Sequence, residues 1–159
     1  MHLPRYLAGM QRFRVHQTFI VAVIMIGALI GILNEPDGWY AALVKPSVNP
    51  PNIIFVPVWV TLYFFIAIAG AQTLIADRNS RRMKIWYAQM LLNFAWTPAF
   101  FGLHSPLLGL VIIALLLVAI LAFIRESWQP DRTSAMIFIV YAAWVAFATL
   151  LNLSIVLLN

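Results

Sequence analysis

Charged side chains avoid five long stretches of this chain. Apolar positions run almost unbroken over about residues 17–33, 53–76, 85–103, 107–124 and 135–158, and the 10 basic and 5 acidic residues all fall outside them. Each run meets or slightly exceeds the roughly 17–25 residues a helix needs to cross about 30 Å of hydrocarbon. Backbone N–H and C=O groups in lipid must bond within their own segment, so runs of this kind are helices. A transmembrane barrel would show alternating segments of about ten residues, and these runs do not alternate. The pattern predicts an all-α integral membrane protein, a five-transmembrane-helix bundle forming one domain over residues 1–159.

The first run follows Arg5, Arg12 and Arg14 and leads into Asn34-Glu35-Pro36 with no small-residue cleavage pattern, so it reads as a signal-anchor helix. With five crossings, Arg5, Arg12, Arg14, Arg78, Arg81, Arg82, Lys84, Arg125 and Arg132 share one side, and Lys45 stands alone on the other. Basic residues collect on the cytoplasmic side. The split predicts a cytoplasmic N-terminus and an outside C-terminus.

The longest connection, residues 34–52, opens with a turn cluster ending in Asp37-Gly38. Trp39 to Val44 reads as a short interfacial helix with Asp37 as its N-cap. The prolines at 46, 50 and 51 then end it. Such a loop either packs back on the bundle mouth or anchors aromatics at the membrane interface.

Composition sharpens the picture. The chain is 64% hydrophobic and 9% charged, with a mean hydropathy of +0.92, against about 25% charged in soluble domains. Cysteine is absent, which excludes disulfides, thiol nucleophiles and iron–sulfur clusters. The net charge of +5 fits basic loops beside anionic membrane lipid, and no basic stripe points to nucleic acid.

The spans hold no Asp, Glu, Lys or Arg, the groups that proton-coupled pumps place there. His2, His16 and His104 have no metal-ligand spacing, and His104 reads as a solvated turn residue. What the spans do carry is amides and aromatics at helical spacing. Gln89, Asn93, Trp96 and Phe100 share one helix face, as do Tyr141, Trp144, Ala148 and Asn152, and as do Trp59 and Tyr63. An amide facing lipid is costly, so these faces turn into the bundle. There they serve either as interhelical glue or as the lining of an aromatic small-molecule cavity. Gly27 and Gly31 form a small-residue pair on the first helix that permits close helix contact.

At these residues the chain resembles the translocator protein / tryptophan-rich sensory protein family (TspO/MBR, the peripheral-type benzodiazepine receptor), in its bacterial form. Four strings carry the likeness in order: Trp39-Tyr40-x-x-Leu43-x-Lys45-Pro46 with Pro50-Pro51; Val56-Pro57-Val58-Trp59 with Leu62-Tyr63; Tyr87-x-Gln89 with Leu92-Asn93, Trp96, Pro98 and Phe100-Phe101; and Tyr141, Trp144, Ala148 and Leu151-Asn152. The resemblance spans roughly residues 17–158, nearly the whole chain.

The resemblance implies a dimerising five-helix bundle in a bacterial inner membrane. It implies a pocket under the first loop that binds porphyrins such as protoporphyrin IX and benzodiazepine-type ligands. Matched by motif, the pocket is lined by Tyr40 from a lid-like loop and by Trp59, Asn93, Trp96, Phe100, Trp144 and Ala148, with Thr97 beside the motif. The residues themselves lead us to expect no cofactor and no metal. Animal members carry a cholesterol-recognition pattern at the end of the fifth helix, and no basic residue follows Arg132 here. A similar pattern falls at Leu3, Tyr6 and Arg12. Three functions stay open: porphyrin sensing, sequestration or transport; light-dependent porphyrin breakdown, with Trp59 or Trp144 as the reacting indole; and a lipid- or sterol-binding regulatory role.

Overall fold

The computed structural model describes the backbone from residue 5 and side chains from residue 9 to residue 159; His2 and Leu3 lie outside the described residues. Six α-helices follow one another: α1 (Arg5–Leu33), α2 (Gly38–Ala42), α3 (Asn52–Ala76), α4 (Arg81–Thr97), α5 (Pro106–Ser127) and α6 (Arg132–Leu158). A π-helical turn, Pro98–Gly102, continues α4. There are no strands among the described residues.

The ends of these helices follow from local chemistry. Asp37 caps α2, its carboxylate accepting from the backbone N–H groups of Trp39 at 3.0 Å and Tyr40 at 3.2 Å. Lys45 closes the other end, its ammonium donating to the carbonyls of Tyr40 at 2.6 Å and Leu43 at 3.2 Å. A cation there satisfies carbonyls that have no intrahelical partner. The helix ends at Ala42 rather than running to Val44. Ser80, Ser105 and Asp131 cap α4, α5 and α6, and Pro106 takes the first position of α5, where its missing N–H costs nothing.

Four helical stretches are long and apolar enough to cross a membrane: Gly9–Leu33, Asn52–Ala76, Pro106–Ser127 and Arg132–Leu158. The expected span over 85–103 has a different form. Its α-helix begins earlier, at Arg81, and stops at Thr97 after 17 residues. Arg81, Arg82 and Lys84 in its first turn and Gln89 and Asn93 in its body lower its hydropathy. Pro98, lacking an N–H, cannot extend the α-helical ladder, and the chain loosens into the π turn.

α5 packs along α4 and α6, α3 packs along α1 and reaches α6, and α1 touches little else. Fully buried Tyr141, Phe138, Phe123 and Ile66 form the centre, with the Phe123 and Phe138 rings 4.0 Å apart. Glycines let large rings in. Gly70 lies under the indole of Trp86, whose Nε1 donates to the Ile66 carbonyl at 3.0 Å, and Gly27 lies against the Tyr63 ring. Gly31 has open space where a Cβ would go, so only one member of the α1 pair serves packing inside the chain.

The outside is as apolar as the core. Val21, Met25, Leu29, Ile32, Val118, Leu121 and Val140 are exposed. Apolar surface this extensive marks a face turned to lipid, and the chain is an integral membrane protein. One basic residue departs from the surface role expected of it: Arg82 is buried, its guanidinium 3.7 Å from Asp131. An isolated buried charge is too costly to keep, and the carboxylate at the start of α6 supplies its counter-charge.

Candidate functional site

The aromatic and amide faces of α3, α4 and α6 meet beneath the first loop. A hydrogen-bonded chain crosses the three helices. Tyr63 Oη donates to Asn93 Oδ1 at 2.9 Å, Asn93 Nδ2 donates to Tyr141 Oη at 2.6 Å, and Tyr141 Oη donates to Gln89 Oε1 at 3.2 Å. A second link joins α4 to α6 and to the start of α5. Trp96 Nε1 donates to Asn152 Oδ1 at 3.1 Å, and Asn152 Nδ2 donates to the Pro106 carbonyl at 2.8 Å. The amides of Asn93 and Asn152 are therefore bound to neighbouring helices, which is the glue reading of their spacing.

The indoles fare differently. Trp59 lies 5.6 Å from Tyr63 on the same face of α3. Trp144 of α6 packs 5.9 Å from Phe55, one turn before Trp59, so both tryptophans border the α3–α6 contact without stacking on one another. Trp144 Nε1 and Gln89 Nε2 are buried donors with no partner. Buried N–H groups are nearly always satisfied, and each unpaired one costs about 1–3 kcal/mol. Ala148 is buried one turn beyond Trp144, leaving the α6 face low beside the indole. Thr97 is half-buried at the end of α4.

The first loop is shut over this region. Tyr40 is 7% exposed and sets its ring edge against Phe101 at 5.1 Å and Phe100 at 6.2 Å. Phe100 in turn stacks on Trp96 at 5.4 Å. The π turn makes this stack: it carries Phe100 and Phe101 side by side toward the loop. Lys45 sits 4.5 Å from the Tyr40 ring centre, a cation–π contact. Burial raises the Tyr40 phenol pKa, against a lowering hydrogen bond from Asn49.

Two fastenings that the sequence did not reveal hold the loop down. His104 Nε2 meets Asp37 Oδ2 at 3.0 Å, and the imidazole stacks on Trp39 at 4.5 Å. His104 is thus the exposed turn residue its position suggested, and it is also engaged. It has φ of 50°, a left-handed conformation rare outside glycine, asparagine and aspartate. At the far end, Val44 N donates to Asn159 Oδ1 at 2.9 Å and Asn159 Nδ2 donates to Val44 O at 3.1 Å. The partners stand 67 and 115 positions apart in sequence, which explains why no local pattern pointed to them.

A helical membrane bundle with an aromatic interior closed by a short capped loop is the class these features define. The TspO/MBR family model matches residues 19–158. Protein CrtK of Rhodobacter capsulatus is 36% identical over 145 residues, covering 89% of this chain and 90% of its own length. The tryptophan-rich protein TspO of Archaeoglobus fulgidus is 40% identical over 147 residues, covering 88% and 94%. The human translocator protein is 34% identical over 139 residues, covering 80% of each chain. The chain belongs to the TspO/MBR family.

Proposed function

We propose that this protein binds flat tetrapyrroles such as protoporphyrin IX, and benzodiazepine-type ligands, between α3, α4 and α6 beneath the first loop, for sensing, sequestration or transport. Tyr40, Trp59, Asn93, Trp96, Thr97, Phe100, Trp144 and Ala148 are its lining. The observation that carries this reading is the orphaned Trp144 Nε1, a buried donor beside stacked aromatics that a ligand carboxylate or carbonyl would satisfy. Ligand entry requires Tyr40 to lift from Phe100 and Phe101, which makes the loop the lid. Titrating the purified protein with protoporphyrin IX while following tryptophan fluorescence tests it. Saturable quenching supports the site, and quenching no greater than that of free tryptophan rules it out.

The whole of residues 1–159 acts in this reading as one domain with five crossings. At about 1.5 Å per residue, the 17 residues of α4 cover about 26 Å, and the π turn adds the remainder of a crossing. The basic residues then put the N-terminus in the cytoplasm, in a bacterial inner membrane. The exposed face of α1 supports a homodimer. Reporter fusions at both ends test the topology, and both ends on one side would refute five crossings.

A further inference from the structure

At the end of the bundle away from the first loop, a groove of about 700 Å³ runs between the N-terminal half of α1 and the end of α3. Gln11, Arg12, Arg78 and Asn79 give it a polar part, Val15, Leu74 and Ile75 an apolar part, and Tyr87 of α4 also borders it. A smaller hollow of about 220 Å³ shares Val15 and Leu74 and adds Arg14 and Phe19. The two kinds of lining are ordered. On α1 the arginines precede Val15 and Phe19, and Arg12 to Phe19 is about 10 Å of helix. On the antiparallel side Leu74 and Ile75 precede Arg78. Both walls therefore turn from cationic to apolar in the same direction, into the bundle's span.

No Asp or Glu lines either hollow. Among the described residues neither Arg12 nor Arg78 pairs with a carboxylate, whereas Arg81 pairs with Glu126 and Arg82 with Asp131. Guanidinium groups are suited to phosphate, which they bind through two parallel hydrogen bonds. A free phosphate would leave the apolar half empty, and a neutral sterol would leave the arginines unmatched.

We infer that this groove is a binding site for one anionic phospholipid, its phosphate held by Arg12 and Arg78 and its acyl chains lying along Val15, Leu74 and Phe19. The site is independent of the porphyrin reading, since it lies at the other end of the molecule. A lipid seated there ties the start of α1 to the α3–α4 turn.

Native mass spectrometry of the full chain, exchanged into dioleoylphosphatidylglycerol or dioleoylphosphatidylcholine, tests the inference. Phosphatidylglycerol should be retained in preference. Arg12→Gln and Arg78→Gln should each weaken retention about fivefold, the contribution of one arginine beside an anionic membrane surface. Both arginines are exposed, so the fold is not at risk, and an unchanged melting temperature of the same variants in detergent checks it. Lys84→Gln, which removes an exposed cation outside the groove, should leave retention unchanged, and Leu74→Trp, which fills the apolar half, should reduce it. The inference is overturned if Lys84→Gln costs as much as Arg12→Gln, which would mean diffuse attraction. It is equally overturned if inorganic phosphate displaces the lipid while Leu74→Trp has no effect, which would mean a plain phosphate site.

Discussion

Gly27 of α1 lies directly against the ring of Tyr63 of α3, and that ring ends in the hydroxyl that bonds Asn93. The first helix thus sets the position of the first member of a polar chain that runs on through α4 and α6. Gly27→Ala forces the ring aside and strains the Tyr63–Asn93 bond. Overpacking of this kind costs about 1–3 kcal/mol. Gly31→Ala meets open space and removes a helix-interior glycine, so it should be neutral or stabilising by up to about 1 kcal/mol. Melting temperatures of the two variants in detergent separate these outcomes. Equal melting would show that the Gly27 contact carries no constraint.

Trp144→Phe isolates the orphaned N–H. A smaller aromatic ring stays and no protein hydrogen bond is lost, so relief of the unpaired buried donor offsets the packing lost with the indole's second ring, and the ligand-free protein should stay close to the parent in stability. Porphyrin affinity should fall about three- to tenfold, the equivalent of one hydrogen bond. Trp144→Ala also removes the stacking surface, about 0.5–1.5 kcal/mol beyond lost area, and should bind more weakly still. Isothermal or fluorescence titration checks both, and parent-like affinity in Trp144→Ala would remove the indole from the site.

Light decides whether bound porphyrin is also broken down. The chain has no thiol, so any breakdown should need illumination and oxygen, with the excited porphyrin as the reactive species. Absorbance loss should slow in Trp59→Phe or Trp144→Phe. Loss in darkness would reveal a catalytic group elsewhere. Loss in light that neither substitution alters would be photobleaching of a bound ligand.

Acid should loosen the lid from the Asp37 end. The Tyr40 backbone N–H is the main group holding the Asp37 carboxyl below its ordinary value of 3.8, helped by the nearby His104. A lowered carboxylate contributes its cap above that ordinary value and loses it as pH falls through the lowered one. Amide exchange at Trp39 and Tyr40, corrected for intrinsic rates, should therefore be flat down to about pH 4 and accelerate below it. Asp37→Asn, which keeps a capping oxygen but removes the charge, should abolish that acid step.

The four helices long and apolar enough to cross a membrane were legible because no charge interrupts their apolar runs. α4 was legible as a helix and as a face, since Gln89 and Asn93 are buried and Phe100 of the π turn is buried with them, but not in form. Its polar face is masked in the bundle, and the π turn after Pro98 leaves no pattern of its own. Spacing placed Asn93 inside without choosing between glue and cavity. That choice depended on Tyr63 and Tyr141, 30 and 48 residues away. Arg82 misled for a related reason: its counter-charge comes from Asp131, across a turn that only tertiary packing brings near.

The sparse contacts of α1 have a mechanical meaning. Its apolar span is only 6% buried, against 44% for that of α6, and its packing rests mainly on α3. Regions with few buried contacts open at low free energy while the rest stays intact. Pulled from its N-terminus, the molecule would surrender α1 first, as a stave comes off a cask whose hoops still hold. The interlocked α4, α5 and α6 would bear the load that follows.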